Sequence, residues 1–237
     1  MDRVNRSEEE ADMTATIART GAIAGWISLA TIFGYHIGLT ILAGNRVSGT
    51  TDVAAIQAYY RQGIVAPAGI LGSFSVIAIL VFVYALREVL AGASPRAKFL
   101  ATLGVLVVVA EIPIILVEMS LNAALVTVVT SGGDPLGLFR FWDVLYNSSA
   151  YALEATYLVC FGLAMRDAAL FPRWLPRFSL VVAAAQVANL FAIWIGIPDM
   201  ATLPANLLFG VWFAATSVGL GRIAARGASR IPVAATA

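Results

Sequence analysis

The sequence predicts an all-α fold, namely a polytopic membrane helix bundle with six transmembrane helices and both termini in the cytoplasm. Of its 237 residues, 60% are hydrophobic and only 12% are charged, which is about half the charged fraction of a soluble domain. The mean hydropathy is +0.86. This composition excludes a water-soluble enzyme, a disordered chain and a nucleic-acid-binding basic domain. The lipid bilayer is therefore the first expected partner, and nucleic acid is not expected.

Six apolar stretches reach the length of about 20 residues that a membrane-spanning helix needs. In chain order they are Gly21–Ala43, Ile64–Leu90, Phe99–Thr130, Val144–Met165, Leu175–Ile195 and Ala201–Ala225. The third stretch is longer than a span requires, so we expect it to tilt or to project from the membrane. The chain then divides into a charged cytoplasmic tail at 1–19, a single six-helix transmembrane domain at 20–226 and a flexible cytoplasmic tail at 227–237.

The basic residues predict the orientation of these helices. All but three of the 15 lysines and arginines lie in the N-terminal tail, at the C-terminal end of the chain, and in or beside the second and fourth connections between spans; the exceptions are Arg46, Arg61 and Arg140. Positive charge concentrates on the cytoplasmic side of membrane proteins. We therefore expect both termini in the cytoplasm and a multi-pass location in a bacterial inner (plasma) membrane.

Two longer connections are expected to cover the outer end of the bundle. The segment Gly44–Gly63 predicts a short interfacial helix that begins at Thr51 or Asp52 and presents Ile56, Tyr59 and Tyr60. The segment Ser131–Trp142 is glycine-rich at first and aromatic afterwards. Aromatic side chains favour the headgroup level, so both segments are predicted to lie there.

The motifs of cofactor and metal chemistry are missing from the sequence. It has no phosphate-binding loop, no dinucleotide-binding glycine fingerprint and no serine nucleophile elbow. One histidine and one cysteine exclude histidine-rich zinc sites, thiolate clusters and a disulfide framework. We therefore expect no cofactor and no metal, and we expect Cys160 to be an inert core residue.

Three acidic residues lie inside the predicted spans and away from their ends, and they are the candidate catalytic residues: Glu111, Glu118 and Glu154. An ionisable group in that position costs at least ~2.5–3.5 kcal/mol on insertion scales, so it normally faces the interior and serves a function. The spacing of Glu111, Glu118 and Asn122 puts them on one helix face. Counting ~1.5 Å per residue places Glu111 and Glu154 near the midplane of the membrane.

Other polar and aromatic residues at similar depths are the candidate substrate-binding residues: Asn122, Asn147, Tyr151, His36, Gln186, Asn189, Asn206, Trp194 and Phe209. Helices of opposite direction place these groups at one level, which predicts a polar chamber between the midplane and the outer leaflet. Each has an alternative interpretation. The amides could join helices by hydrogen bonds, the histidine could be a satisfied interior residue, and the aromatic rings could serve ordinary packing.

The buried carboxyl groups suggest acid–base chemistry. Burial favours the neutral, protonated form of a carboxyl group, and two carboxyls in unequal environments are typical of acid–base pairs. The sequence thus predicts a cofactor-independent isomerase or cyclase that uses a glutamate as general acid on a lipophilic, isoprenoid- or polyketide-like substrate. Two alternatives remain open. One is a proton-coupled transporter of a small molecule, which a homo-oligomer could complete, and the other is a non-catalytic binding or accessory protein.

Three sequence segments carry a resemblance to known proteins: Arg19–Trp26 opening the first span, Val81–Arg87 closing the second, and Phe171–Pro176 before the fifth. In these segments the chain resembles the small six-helix integral membrane proteins of unknown function that are frequent in actinobacteria. That resemblance implies the fold and assigns no catalytic residues. In size and in its buried acids, though not in motif, the chain also looks loosely like the membrane-bound terpene cyclases.

Overall fold

The computed structural model describes residues 2–37, 50–148, 150–195 and 203–228. Side chains are described for residues 12–35, 50–145, 150–192, 195 and 204–226. These residues form the helices α1 (Asp2–Ile37), α2 (Val53–Tyr60), α3 (Val65–Ala91), α4 (Pro95–Thr130), α5 (Leu136–Ser148), α6 (Ala150–Ala168), α7 (Trp174–Trp194) and α8 (Leu203–Ala228).

Five of these helices are long and apolar enough to cross a membrane. The qualifying segments are Asp12–Tyr35, Val65–Ala91, Pro95–Thr130, Trp174–Ala192 and Pro204–Arg226. The protein is therefore a multi-pass membrane protein built as a helical bundle. α6 is not among the five, and its 19 residues include Glu154, Arg166 and Asp167. The sixth span and the orientation of the termini stay predictions.

Six helices form a ring in the order α1, α3, α4, α6, α7 and α8, and α8 packs back against α1. Close contacts show that α1 runs antiparallel to both of its neighbours. Gly21 lies against Ala85 of α3, and Gly25 lies against Ser217 of α8. A Cβ atom at Gly25 would come within 2.1 Å of the Ser217 Oγ. Glycine is therefore needed there for the two helices to approach this closely.

One helix boundary differs from that which the sequence predicts. α1 begins at Asp2, well before the expected start at Gly21, so the backbone of the charged tail is helical where the structure describes it. The expected fourth span, Val144–Met165, is covered by α5 up to Ser148 and by α6 from Ala150, and residue 149 between them lies outside the described residues.

α2 and α5 lie at the end of the ring away from Asp2 and Ala228, and we call these two helices the cap. Asp52 begins α2 by accepting a 2.9 Å hydrogen bond from the Ala54 backbone N–H. Ile56, Tyr59 and Tyr60 are buried, which confirms the expected short helix, while its position at the headgroup level stays a prediction. In α5, Phe139 and Trp142 are buried, and the ring of Tyr60 meets both edge-on at 6.5 Å.

The largest buried rings pack together nearer the other end of the bundle. Phe82 of α3 stacks on Phe213 of α8 with ring centroids 4.9 Å apart, and Trp212 meets Phe82 edge-on at 6.0 Å. Phe161 of α6 packs beside Trp212 at 6.4 Å. We call these four rings, together with Tyr157 and Phe209, the aromatic core. It fixes the registers of α3, α6 and α8 on which the site depends.

Candidate functional site

Three carboxyl groups of α4 and α6 lie within electrostatic reach of one another. Gly104 of α4 lies against the ring of Phe161 of α6, where a Cβ would come within 3.1 Å. The two helices are antiparallel, so seven residues further towards the cap Glu111 of α4 comes level with Glu154 of α6. The Glu111 carboxyl group is close enough to those of Glu154 and Glu118 to be repelled by both. We call these three glutamates the carboxyl cluster.

The carboxyl cluster is removed from water inside the bundle. Glu111 is 5% exposed and Glu118 is 8% exposed. Glu154 is half-buried, but its Oε2 atom is fully buried and has no hydrogen-bond partner among the described residues. The ion pairs Arg87–Glu88 and Arg96–Asp167 lie towards the opposite end from the cap. The cluster thus holds an acceptor atom that the described residues leave unsatisfied.

A chain of hydrogen bonds joins the carboxyl cluster to the cap. The Tyr60 hydroxyl of α2 donates to Asn122 Oδ1 at 3.1 Å. Asn122 Nδ2 donates to the Tyr35 hydroxyl at 3.2 Å, and that hydroxyl donates to Glu118 Oε1 at 3.0 Å. Every donor in the chain points towards Glu118. Side chains from α1, α2 and α4 therefore hold this carboxyl group in place.

Gly72 of α3 makes the room for this chain. A Cβ atom there would lie 2.9 Å from the Tyr35 ring and 3.0 Å from the Met119 sulfur. Contacts that short force the neighbouring side chain to shift, so a glycine at this position lets α3 pass Tyr35 without displacing its ring. The path of α3 thus allows α1 and α4 to share the hydrogen bond between Tyr35 and Glu118.

A buried amide lies beside the carboxyl cluster on α7. Gly162 of α6 packs against Ser179 of α7, and seven residues towards the cap this antiparallel register brings Gln186 level with Ala155, the neighbour of Glu154. Gln186 is fully buried, and its Oε1 accepts a 3.1 Å hydrogen bond from Asn189 Nδ2. Its Nε2 has no hydrogen-bond partner among the described residues.

Tyr157 lies one turn from Glu154 and is the member of the aromatic core nearest to it in sequence. It is 4% exposed, and its ring packs beside Phe209 at 6.1 Å and Trp212 at 6.5 Å. Its hydroxyl lies within electrostatic reach of Glu111 and Glu154.

The structure brings together some of the candidate residues and leaves others apart. Glu111, Glu118, Glu154 and Asn122 form one group, and Gln186 and Asn189 are bonded to each other. Tyr151 is buried, Asn206 is half-buried and Phe209 packs in the aromatic core. The side chains of His36, Asn147 and Trp194 lie outside the described residues.

Sequence reasoning missed the residues that connect the site. Tyr35 and Tyr157 are not among the candidate site residues that the sequence indicates, and Tyr60 is expected there only as part of the interfacial helix. Tyr35 lies in the first predicted span. Counting residues along that span gives its depth in the membrane, which can be compared with the depth of Glu118. The hydrogen bond between Tyr35 and Glu118 depends on the space at Gly72, which is evident only when α1, α3 and α4 are packed together.

A separate groove of about 460 Å³ lies on the surface of α1, α3 and α4, away from the carboxyl cluster. Its lining is almost wholly apolar: Thr16, Ile17, Thr20, Leu80, Val81, Tyr84, Ala85, Val105 and Val109. On helices that cross a membrane this surface faces lipid. The chamber expected around the glutamates stays a prediction.

These features define a multi-pass membrane protein with an enclosed carboxyl cluster. Comparison with family models, with curated proteins and with solved structures gave no significant match. The described residues contain no group of three or more histidine, cysteine, aspartate or glutamate side chains placed to hold a metal ion. Function is therefore inferred from the site itself.

Proposed function

We propose that this protein is a membrane-embedded, cofactor-independent isomerase or cyclase that acts on a lipophilic, isoprenoid- or polyketide-like substrate. The supporting observation is the fully buried Glu154 Oε2, which has no hydrogen-bond partner among the described residues. A buried polar atom without a partner is costly. A substrate that donates a hydrogen bond to Glu154 Oε2 explains why the protein keeps an unsatisfied buried oxygen.

Glu154 is the general acid in this proposal and Glu111 is the base. Two facing carboxyl groups in an apolar interior share a proton, because two negative charges at close range repel each other. Glu154 donates this proton to one atom of the substrate, and Glu111 removes a proton from another atom. The substrate then changes its bonding with no net gain or loss of protons, which is why no cofactor is required.

Solvent deuterium tests this proposal on a mixture of possible substrates. Membranes containing the protein are incubated in D₂O with a total lipophilic extract of the host cell, and the extract is analysed by mass spectrometry. Acid–base isomerisation places deuterium on carbon through the shared proton. We expect at least one lipophilic species to gain deuterium only when the protein is present.

Two variants make the test specific. Glu154→Gln removes the acid and should abolish the labelling, while Glu88→Gln, which lies outside the carboxyl cluster, should leave it intact. Labelling that persists in Glu154→Gln would contradict the assignment of the acid. If no species is labelled by the wild-type protein, the enzyme proposal fails.

Proton-coupled transport of a small molecule is a second candidate function. The supporting observation is the hydrogen-bonded chain from Tyr60 to Glu118, which joins the cap to the carboxyl cluster. In proteoliposomes with an imposed pH gradient, a transporter would dissipate the gradient when its substrate is added. Loss of this response in Glu118→Gln, with no deuterium labelling by the wild type, would favour transport over catalysis.

The remaining expectations on topology belong to the same proposal. We propose that α6 is a sixth span, that both termini face the cytoplasm of a bacterial cell, and that the protein forms homo-oligomers if it transports. The distribution of arginines supports the orientation. Reporter fusions at either terminus should be active only with a cytoplasmic reporter, and a periplasmic signal from either one would overturn the orientation.

A further inference from the structure

Tyr60 of α2 reaches from the cap into the interior of the bundle. Its hydroxyl donates to Asn122 Oδ1 at 3.1 Å. α4 continues from Asn122 to Thr130, which is about 12 Å along the helix axis. Tyr60 is 1% exposed and Asn122 is 4% exposed. One side chain of α2 therefore inserts into the bundle well below the cap end of α4.

The inserted tyrosine covers Glu118 from the side of the cap. Glu118 lies one turn from Asn122 on the same face of α4, further from the cap. The Tyr35 hydroxyl bridges the two residues, because it accepts from Asn122 and donates to Glu118. Two rings of α5 lie edge-on to the Tyr60 ring. The path from the cap to Glu118 is therefore closed by Tyr60.

Little buried surface holds α2 in this position. Of its eight residues, Ile56, Tyr59 and Tyr60 are buried, whereas α3 has buried residues along its whole length. Besides the hydrogen bond from Tyr60 to α4, the Gln57 Nε2 donates to the Gly133 carbonyl at 3.5 Å. Segments with few buried contacts open at a lower free energy than the core does. We therefore expect α2 to leave the bundle more readily than α3 does.

The junction between α2 and α3 provides a hinge. It comprises Arg61, Gln62, Gly63 and Ile64, and the first three of these are exposed. Among the described residues, nothing lies within 4 Å of a Cβ atom placed at Gly63. Hinges are a few residues at the end of an element that absorb a rotation of the backbone. α2 can therefore swing while α3 stays in the bundle.

We propose that α2 is a lid over the carboxyl cluster, that the hydrogen bond between Tyr60 and Asn122 is its latch, and that Gly63 is its hinge. Breaking the latch costs little, because water can replace both partners once Tyr60 has left. The opening exposes Glu118 to the aqueous phase on the side of the cap. This inference goes beyond the proposed function and applies to an enzyme and to a transporter alike.

Hydrogen exchange of the purified full-length protein, followed by mass spectrometry, measures the opening. An isolated helix of this length is unstable in water, so α2 loses its backbone hydrogen bonds when it leaves the bundle. We expect the amides of α2 to exchange faster than those of α3. Tyr60→Phe removes the latch and should speed exchange in α2 by about two- to tenfold, with α3 unchanged.

Tyr84→Phe is the control for the latch, because the Tyr84 ring of α3 is exposed, and it should alter exchange in neither helix. Exchange of α2 and α3 in a single common transition would show that α2 is a fixed part of the bundle, which overturns the proposal. An unchanged rate in Tyr60→Phe would overturn the latch.

A variant of the hinge should act in the opposite direction. Gly63→Ala restricts the backbone of the junction without a clash and should slow exchange in α2 by about two- to fivefold. Gly92→Ala is the matched control. It lies directly after α3, and a Cβ atom there also meets nothing within 4 Å among the described residues. Equal rates of α2 exchange in the two variants would contradict the assignment of the hinge.

Chemical modification tests whether the lid controls access to the carboxyl cluster. A water-soluble carbodiimide couples glycinamide to Glu118 when solvent reaches it, and mass spectrometry of the peptides gives the rate. Because this reaction needs the same opening, Tyr60→Phe and Gly63→Ala should change its rate by the same factors as they change exchange in α2. Glu88, half-buried outside the cluster, should react at one rate in all variants.

Two results of the modification experiment would overturn the proposal. One is a rate at Glu118 that does not follow the lid variants, and the other is no modification of Glu118 in Tyr60→Phe. Neither exchange nor modification involves a substrate, so failure of the lid and failure of the proposed enzyme are distinguished by the deuterium test.

Discussion

Trp212 of the aromatic core and Glu154 of the carboxyl cluster are two buried polar side chains with different hydrogen bonding. Trp212 Nε1 donates to Ser179 Oγ at 2.8 Å, and that hydroxyl donates in turn to the Leu175 carbonyl. Glu154 Oε2 has no partner among the described residues. The indole is thus satisfied inside the protein, whereas the carboxyl group keeps an acceptor atom that a ligand can use.

Truncation of the aromatic core should have the largest effect. Trp212 is fully buried among Phe82, Phe161 and Phe213, so Trp212→Ala should lower the free energy of unfolding by about 3–5 kcal/mol. Unfolding in detergent, followed by circular dichroism, measures this loss. Trp26→Ala is the control because Trp26 is 47% exposed, and it should cost far less. An equal loss of unfolding free energy in the two variants would contradict the conclusion that Trp212 stabilises the core more than Trp26 does at the surface.

Filling the space at Gly72 should have the next largest effect and should act on the carboxyl cluster. In Gly72→Val the new side chain would press on Tyr35 and Met119, at a cost of about 1–3 kcal/mol. Gly69→Val is the matched control, because nothing lies within 4 Å of a Cβ at Gly69. Thermal unfolding of both variants tests this, and a similar stability for the two would show that α3 does not hold Tyr35 in place.

Removing the Tyr35 hydroxyl should have an intermediate effect. Tyr35→Phe deletes the donor to Glu118 and the acceptor of Asn122, and leaving buried partners unsatisfied costs about 1–3 kcal/mol. Tyr60→Phe removes the donor to Asn122 but leaves the bond to Glu118 in place, so it should cost less. Tyr84→Phe, at an exposed ring, is the control. Denaturant unfolding should rank the losses of stability of the three variants in that order. An unchanged free energy of unfolding in Tyr35→Phe would mean that the hydrogen bonds between Tyr60 and Glu118 add no stability.

Glu154→Gln should have the smallest effect on stability. Among the described residues the Oε2 atom has no partner to lose, so the unfolding free energy should change by less than about 1 kcal/mol, whereas deuterium labelling should disappear. Differential scanning calorimetry and the labelling assay are run on the same preparation. A large loss of stability with labelling intact would show that the glutamates hold the bundle together, which is the non-catalytic alternative.

The regularity of helices made part of the site predictable from sequence. Each helix rises by a constant amount per residue, so counting from the ends placed Glu111 and Glu154 at one level, and the contact of Gly104 with Phe161 gives that register. The interfacial helix with Ile56, Tyr59 and Tyr60 followed from capping and aromatic placement in the same way.

Other features depended on packing that a single helix does not encode. Tyr35 reaches Glu118 across α3 only because Gly72 leaves the space. The pairing of Gln186 with Asn189 needs particular side-chain rotamers, which depth alone does not supply.

The length of α1 gives the protein a mechanical link between two environments. The helix continues from Asp2 to Ile37, which corresponds to ~54 Å at ~1.5 Å per residue, well beyond the ~30 Å of a bilayer interior. One end carries the acidic run Glu8, Glu9 and Glu10, and the other carries Tyr35. The helix that carries the hydrogen-bond donor to Glu118 is therefore continuous with a segment that exceeds the length of the bilayer interior.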